Sequence, residues 1–379
     1  MNTAESGSAG IVRVAGRDLL ASAADLAACR RAIRAGSKTF HAASLLLPRR
    51  IRGSALALYA FCREADDAID GSAQPLQALA ALQMRLDLAY AGVPLDNAAD
   101  RALAAVVAQF EIPRELPGAL LEGFAWDATG RRYETLSDVR AYGVRVAGAV
   151  GVMMSLLMGV RSPQALARAA DLGVAMQLSN IARDVGEDAR MGRIYLPRDW
   201  LTDAGIDAQA WLRDPVFEPR IGALVARLVG EAESLYRRAA AGVDELPVEC
   251  RPAIHAARLM YSEIGREVQK RGGDSVSSRA VVSARRKIIL LAEALLAASR
   301  RNMVRETHPV LPEAQYLLDA IIRHDRARGV VGDPLAGGGL IEREFARVLG
   351  VFERLEQRDQ PSLDQPSLDQ PSLDQPSLR

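Results

Sequence analysis

The stretch QLSNIARDVGEDARMGRIYLP, residues 177–197, decides the fold and carries the first candidate site. At about 100° per residue in an α-helix, the polar side chains Gln177, Asn180, Asp184 and Asp188 fall within an arc of roughly 80°. Apolar residues flank this arc, so the stretch predicts a helix with a polar face beside a core face. Paired aspartates also occur on solvated helices, whereas buried carboxylates need a partner or a cation. This stripe alone leaves both interpretations open.

A second stripe of the same kind lies on the helix predicted for residues 50–70, RIRGSALALYAFCREADDAID. Its polar members share an arc of roughly 60° and are Tyr59, Arg63, Asp66 and Asp70. Arg63 could pair with Asp66 or the neighbouring Asp67 in a solvated ion-pair network. Because the Asp-x-x-x-Asp pattern occurs on two helices, we favour a site where both pairs converge. We call the two sets the 66/70 stripe and the 184/188 stripe.

Four converging carboxylates would require cations to offset their charge. Oxygen ligands without Cys or His favour Mg²⁺, with Mn²⁺ as a substitute. Mg²⁺ keeps several waters and is usually shared between carboxylates and substrate phosphates. The two stripes therefore predict a diphosphate that is activated as a leaving group, above apolar helix faces that hold a hydrocarbon chain.

The composition predicts an all-α globular protein. The 379 residues are 49% hydrophobic, 25% charged and only 5% aromatic, with a net charge of +1. Strand signals are nearly absent, and the charge argues against a partner bound through nucleic-acid phosphates. The three cysteines are far apart, which excludes a zinc site of closely spaced thiols. We expect a cytoplasmic protein without a signal peptide, at most peripheral to the inner membrane, because the longest apolar run, residues 147–160, is shorter than the ~20 residues of a membrane span.

The chain divides into four segments by pattern. Residues 1–17 are rich in Gly and Ser and are expected to be flexible, and residues 18–305 form the predicted catalytic domain. Residues 306–359 are expected to be a partly helical extension. Residues 360–379 repeat QPSLD, and a proline in every repeat predicts a disordered tail.

Several separated motifs resemble the squalene/phytoene synthase family. They are SKTF at 37–40, YAFCREADDAID at 59–70, RVAGAVG at 145–151 and the stretch 177–197. The flanking segments HAASLLLP and AWDATGRRYETLSDVRAY resemble bacterial phytoene synthases in particular. The resemblance covers roughly residues 30–300. It implies the isoprenoid synthase fold, a single large helical domain with a central cavity between the two Asp-bearing helices.

The resemblance also implies roles for individual residues. Mg²⁺ and the diphosphates would be bound by Asp66, Asp70, Asp184 and Asp188, with Asn180 assisting the metal and the substrate. Phosphate oxygens would be contacted by Ser37, Arg63, Arg183, Tyr195 and Arg279, although Ser37 is equally suited to cap a helix. The cavity near the reacting carbons would be lined by Tyr59, Gln177 and Tyr261. The chain departs from the family at Val144, where many members carry a tyrosine, so no role of that hydroxyl carries over.

The implied reaction is the head-to-head condensation of two geranylgeranyl diphosphates through prephytoene diphosphate to phytoene, the first committed step of carotenoid biosynthesis. The released diphosphate would act as the base, and no NADPH is expected. Three alternatives remain at this point. They are a squalene-type synthase that uses farnesyl diphosphate and NADPH, a terpene cyclase, and a helical scaffold without catalysis.

Overall fold

The computed structural model describes residues 12–14, 17–19, 21–36, 43–299 and 308–328. Nearly all of the regular secondary structure in the described residues is helical, which confirms the all-α prediction. The exception is a short antiparallel hairpin that the sequence did not predict, formed by β1 (Val12–Val14) and β2 (Arg17–Leu19), with Val12 opposite Leu19. Ser37, most of the predicted flexible N-terminus and the whole QPSLD repeat lie outside the described residues.

The α-helices of the described residues are mostly joined by short connections. In chain order they are α1 Ala23–Gly36, α2 Arg49–Asp70, α3 Pro75–Tyr90, α4 Ala98–Gln109, α5 Glu115–Ala128, α6 Leu136–Gly143, α7 Ala149–Leu157, α8 Pro163–Arg190, α9 Arg198–Asp203, α10 Ala208–Arg213, α11 Pro219–Val243, α12 Arg251–Lys270, α13 Ala284–Ser299 and α14 Gln315–Arg328. A π-helical turn, Val144–Gly148, joins α6 to α7. Short 3₁₀ turns precede α12 and α14.

Local sequence signals account for most helix boundaries. Ser162 caps α8 by accepting a hydrogen bond from the backbone of Ala165, and Pro163 occupies the first turn. The cap of α6 is Thr135, which forms a capping box with Asp138. Helix α14 lies within residues 306–359, the segment expected to be partly helical.

The two Asp-bearing helices belong to different packing groups. Helix α2 packs against α1, α3, α4 and α5, whereas α8 packs against α7, α11 and α12. Helix α5 lies between the groups, because it contacts α2 on one side and the π turn and α7 on the other. The two stripes therefore lie on opposite sides of the region next to α5. They do not form one continuous surface.

Small residues bring α8 very close to the chain around the π turn. A Cβ atom added at Gly173 would lie 2.4 Å from the carbonyl oxygen of Ala147, and one at Gly151 would lie 2.5 Å from that of Ala169. The small side chains of AGAVG, residues 147–151, could admit either a neighbouring helix or a flat ligand. In this structure they admit a neighbouring helix. This close crossing fixes the position of α8 and of its polar face.

One continuous helical stretch, Leu136–Leu157, is long and apolar enough to cross a bilayer by length and composition alone. It comprises α6, the π turn and α7. In the structure 61% of its most apolar window is buried, and Val144, Val152 and Met153 are completely inaccessible. The stretch accordingly serves as a core helix here.

The glycine crossing predicts a clear contrast between two substitutions. Gly173→Ala places a methyl group against rigid backbone, so we expect a loss of about 1–3 kcal/mol in the free energy of unfolding. Gly230→Ala, on an exposed turn of α11 with no atom within 4 Å of the added Cβ, should stabilise by about 0.5–1 kcal/mol. Denaturant melts of both variants measure the difference. Equal stabilities would show that α8 can shift without cost.

Candidate active site

The 66/70 stripe is held at its start by an arginine. Arg63 donates to Asp66 over 3.3 Å and to Asp67 over 3.0 Å, so the ion pair considered from the sequence does form. The side chains remain accessible, at 40% for Arg63 and 42% for Asp66. An exposed pair of this kind contributes little to stability, which leaves Arg63 able to exchange its carboxylates for another anion.

The 184/188 stripe has an aspartate clamped by two arginines. Arg183 donates to both carboxylate oxygens of Asp184 over 2.8 and 2.6 Å. Arg279, 95 residues further along the chain, donates to the same two oxygens over 2.8 and 3.1 Å. Two cationic side chains thus offset one carboxylate whose side chain is only 16% exposed. Both arginines were predicted as phosphate contacts, and the structure places them together at the stripe.

Arg193 links the two stripes directly. Its backbone N–H donates to the carbonyl oxygen of Asp188 over 2.9 Å, and its guanidinium donates to the Asp70 carboxylate over 2.9 Å. The end of α2 and the end of α8 therefore meet at one residue. The sequence pattern placed Arg193 near Asp188 but gave no indication that it reaches the other stripe.

Asp127, at the end of α5, lies between the stripes and was missed from the sequence. Its two carboxylate oxygens accept hydrogen bonds from the hydroxyls of Tyr195 and Tyr142, each over 2.7 Å. Burial raises the pKa of Asp127, and Asp70 raises it further. Tyr195 was predicted to contact phosphate, but in this structure its hydroxyl is engaged by Asp127. The only signal was a lone carboxylate in the apolar helix segment FAWDA.

The tyrosines around Asp127 form one aromatic cluster. The rings of Tyr142 and Tyr195 are stacked 5.1 Å apart, and Tyr133 lies 5.4 and 5.7 Å from them. Val144, which occupies the place of the usual family tyrosine, is fully buried in the π turn. Tyr142 lies two residues before Val144, and its hydroxyl donates to Asp127. The segment therefore keeps a phenol, but at a different position.

Burial and like charge perturb both stripes. Burial, followed by the neighbouring Asp70, raises the pKa of Asp66 to about 6. Burial, followed by Asp184, raises the pKa of Asp188 to about 7, while Arg193 opposes the rise. Because Asp66 is 42% exposed, solvent screens its charge, and we take Asp188 as the more strongly perturbed group. Such raised pKa values indicate a partly buried region in which nearby cations do not fully offset the carboxylates.

The remaining predicted residues surround the same region. Burial raises the pKa of Tyr59 on α2 and of Tyr261 on α12. Gln177 and Asn180 are half-buried on α8. Gln177 lies beside Gly143, where an added Cβ would be 3.8 Å from the Gln177 Cβ.

The donor set suits a hard divalent cation but is not a closed cage. Among the described residues, no three side chains of His, Cys, Asp or Glu lie close enough to form a ready metal site. The stripes supply oxygen donors in pairs, and arginines pair with Asp66, Asp70 and Asp184. This fits a metal such as Mg²⁺, which takes one or two carboxylates and completes its shell with water and substrate phosphates.

A family model described as squalene/phytoene synthase matches residues 33–287, which include both stripes and every residue of the region described above. The chain belongs to the squalene/phytoene synthase family. It is 54% identical over 304 residues to a phytoene synthase of Rhodobacter capsulatus, covering 78% of this chain and 90% of the relative. It is 51% identical over 323 residues to a phytoene synthase of Cereibacter sphaeroides, covering 81% and 90%.

Solved structures agree with this membership. A dehydrosqualene synthase in complex with ligand superposes with a TM-score of 0.66 at 34% identity, covering 72% of this chain and 95% of that one. A squalene synthase from Alicyclobacillus acidocaldarius superposes with a TM-score of 0.61 at 27% identity, covering 66% and 94%. The isoprenoid synthase fold predicted from the sequence is therefore confirmed, and the chain is a prenyltransferase-type enzyme that uses a prenyl diphosphate.

The raised pKa of Asp188 predicts an unusual pH dependence of the metal-free protein. An unfolded aspartate titrates near pH ~3.9, whereas Asp188 titrates at about 7 in the fold. The folded chain therefore binds the extra proton between these values, and stability falls as the pH rises through them. Asp188→Asn lacks this penalty, so its melting temperature should exceed that of the wild type at about pH 8, by a margin that shrinks at about pH 5.

Asp203→Asn, at the exposed end of α9, serves as the control for the change in net charge. Thermal melts of the three metal-free proteins at both pH values make the comparison. A margin for Asp188→Asn that is the same at both pH values would contradict the raised pKa.

Proposed function

We propose that the chain is a phytoene synthase, a Mg²⁺-dependent prenyl transferase that joins two geranylgeranyl diphosphates head to head. The observation that carries this proposal is the ion pair of Arg193 with Asp70, because Arg193 closely follows the helix of the 184/188 stripe and so brings the ends of the two Asp-bearing helices together. A surface ion-pair network gives no reason for one aspartate of each pair, Asp66 and Asp188, to have a raised pKa. The relatives above, named phytoene synthase, support the choice of product.

The arginines around the stripes are proposed to bind the diphosphates. Arg279, Arg183 and Arg193 now offset Asp184 and Asp70, and Arg63 offsets Asp66. Guanidinium groups bind phosphate oxygens in the same bidentate manner as carboxylates. When a diphosphate arrives, these donors can turn from the carboxylates to the phosphates, which also frees the carboxylates.

The freed carboxylates are the proposed metal ligands. Asp66, Asp70, Asp184 and Asp188, with the Asn180 amide oxygen, would hold Mg²⁺, with Mn²⁺ as a substitute. When bound, the metal would supply charge neutralisation to the departing diphosphate. This set supplies only oxygen donors, as Mg²⁺ requires.

The rest of the site is proposed to hold the hydrocarbon and protect the cation. After the first diphosphate departs, the alkene of the second substrate attacks the allylic cation, and loss of a proton gives the cyclopropyl prephytoene diphosphate. Departure of the second diphosphate, rearrangement and loss of another proton give phytoene. Tyr59, Gln177 and Tyr261 would line the space near the reacting carbons, and the released diphosphate would accept the protons.

We also propose a cytoplasmic protein that associates peripherally with the inner membrane. The reasoning is chemical, because a C40 hydrocarbon has negligible solubility in water and must leave the enzyme for a lipid phase. We expect the protein neither to bind nucleic acid nor to require NADPH.

The product assignment has a direct test. Purified protein with geranylgeranyl diphosphate and Mg²⁺ should release phytoene without added NADPH, as measured by mass analysis of the extract. The matched arm uses farnesyl diphosphate with and without NADPH. Turnover that stops at a cyclopropyl diphosphate until NADPH is supplied would establish the squalene-type alternative instead.

The roles of the stripes are tested by charge removal. Asp66→Asn and Asp184→Asn keep the side-chain size and remove one negative charge from a metal ligand. A loss of several kcal/mol in transition-state stabilisation corresponds to at least about a hundredfold lower rate of diphosphate release. Asp67→Asn is the matched control, because Asp67 neighbours Asp66 but points off the stripe at 57% exposure.

We expect Asp67→Asn to retain most of the activity and all three variants to fold. Diphosphate release at saturating Mg²⁺ and thermal melts are the measurements. Near-normal release by either stripe variant would show that its stripe does not bind the metal. Unfolding of both stripe variants would instead make the aspartates structural ion-pair partners.

A further inference from the structure

A cavity lies away from the two stripes, between α11, α12 and α13. Its volume is about 320 Å³, within the lower range for small-molecule sites. The lining residues come from three helices and are Ala240, Asp244, His255, Arg258, Glu293, Leu296 and Ala297. None of these residues belongs to the stripes or to the aromatic cluster around Asp127.

Two buried nitrogen atoms on this cavity's lining side chains have no hydrogen-bond partner. They are Nδ1 of His255, a residue only 5% exposed, and Nε of Arg258. A buried polar atom without a partner costs about 1–3 kcal/mol, and a water, an ion or a ligand is one explanation for it. That both orphaned atoms belong to residues lining one cavity favours a common explanation.

The charges of the lining side chains are unequal. Oδ1 of Asp244 lies 4.0 Å from Nη1 of Arg251, and Oε1 of Glu293 lies 3.2 Å from Nη1 of Arg286. Each carboxylate therefore has a cation beside it. Arg258 forms no ion pair with any carboxylate of the described residues, although its guanidinium lines the cavity. The cavity is therefore lined by one unpaired guanidinium and by two carboxylates that each lie beside an arginine.

We propose that this cavity binds a small organic carboxylate, with its anionic group at Arg258 and its hydrocarbon part against Ala240, Leu296 and Ala297. A guanidinium matches a carboxylate in a planar, two-bond geometry. One guanidinium offsets one negative charge, so a singly charged carboxylate fits better than a multiply charged phosphate. Leu296 is 60% exposed and marks the side from which a ligand enters.

The protonation of His255 agrees with this assignment. Burial, followed by the positive charge of Arg258, lowers the pKa of His255 to about 4. The imidazole is therefore neutral near pH 7 and can donate one hydrogen bond without adding charge. Arg258 remains protonated, since an arginine does not lose its proton in a protein.

The cavity is close to the candidate active site, because α11 and α12, which line it, also pack against α8. The hydroxyl of Tyr236 on α11 forms a 3.0 Å hydrogen bond with Ser179 on α8. Ser179 immediately precedes Asn180 of the 184/188 stripe. A ligand at Arg258 would thus bind close to α8 without touching the stripes, and its binding can be measured independently of catalysis.

The test uses 4-fluorobenzoate as the probe and 4-fluorobenzamide as its neutral counterpart, followed by ¹⁹F NMR titration of the full chain. The wild type should bind the acid and discriminate against the amide. Arg258→Gln should weaken acid binding at least about tenfold, because it removes a charged hydrogen-bond donor. Ala240→Met, which fills the cavity, should weaken it as well.

Arg279→Gln is the matched control, because Arg279 is a candidate phosphate contact at the 184/188 stripe and its loss removes an anion site there. Acid binding that survives Arg279→Gln and is lost in Arg258→Gln supports the proposal, with thermal melts to verify folding. Binding that is lost in Arg279→Gln and kept in Arg258→Gln would place the probe at the stripes and overturn it. Equal affinity of the wild type for acid and amide, or no binding of the acid, would overturn it without any variant.

Discussion

The arrangement around the stripes depends on one electrostatic constraint, the neutralisation of carboxylates that converge on a partly buried region. Asp184 is held by Arg183 and Arg279, and Asp70 is held by Arg193. Asp188 is less well compensated, and its pKa rises to about 7. Without metal the arginines thus occupy the places where a cation is expected, and with diphosphate the same arginines are suited to the phosphates. One set of cations can serve both states.

The fold satisfies this constraint by holding α2 and α8 in separate packing groups. The contact of Gly173 with the backbone of Ala147 fixes α8, and α5 lies between the groups and carries Asp127. Two tyrosine hydroxyls hold the Asp127 carboxylate, which keeps a further negative charge between the stripes. The aromatic cluster and the arginine contacts together keep the region defined before any ligand binds.

Periodicity and caps were enough to predict most helices and both stripes, because these features depend on residues that are close in sequence. The pairing of Arg193 with Asp70 spans 123 residues, and that of Asp127 with Tyr195 spans 68. Contacts at such separation depend on how the helices pack, which one sequence does not reveal. The π turn at Val144 was not predicted, for a related reason. Its sequence pattern is that of an ordinary helix, and its extra residue is accommodated by packing against α5 and α8.

The central claim, that both stripes hold metal against one bound diphosphate, is tested most directly by crystals grown with Mn²⁺ and a thiolo analogue of the prenyl diphosphate. The account predicts anomalous peaks within about 2.0–2.3 Å of carboxylate oxygens on both stripes, with Arg279 turned from Asp184 to the diphosphate. Peaks confined to one stripe, or Asp184 still held by Arg183 and Arg279 beside a bound diphosphate, would contradict it.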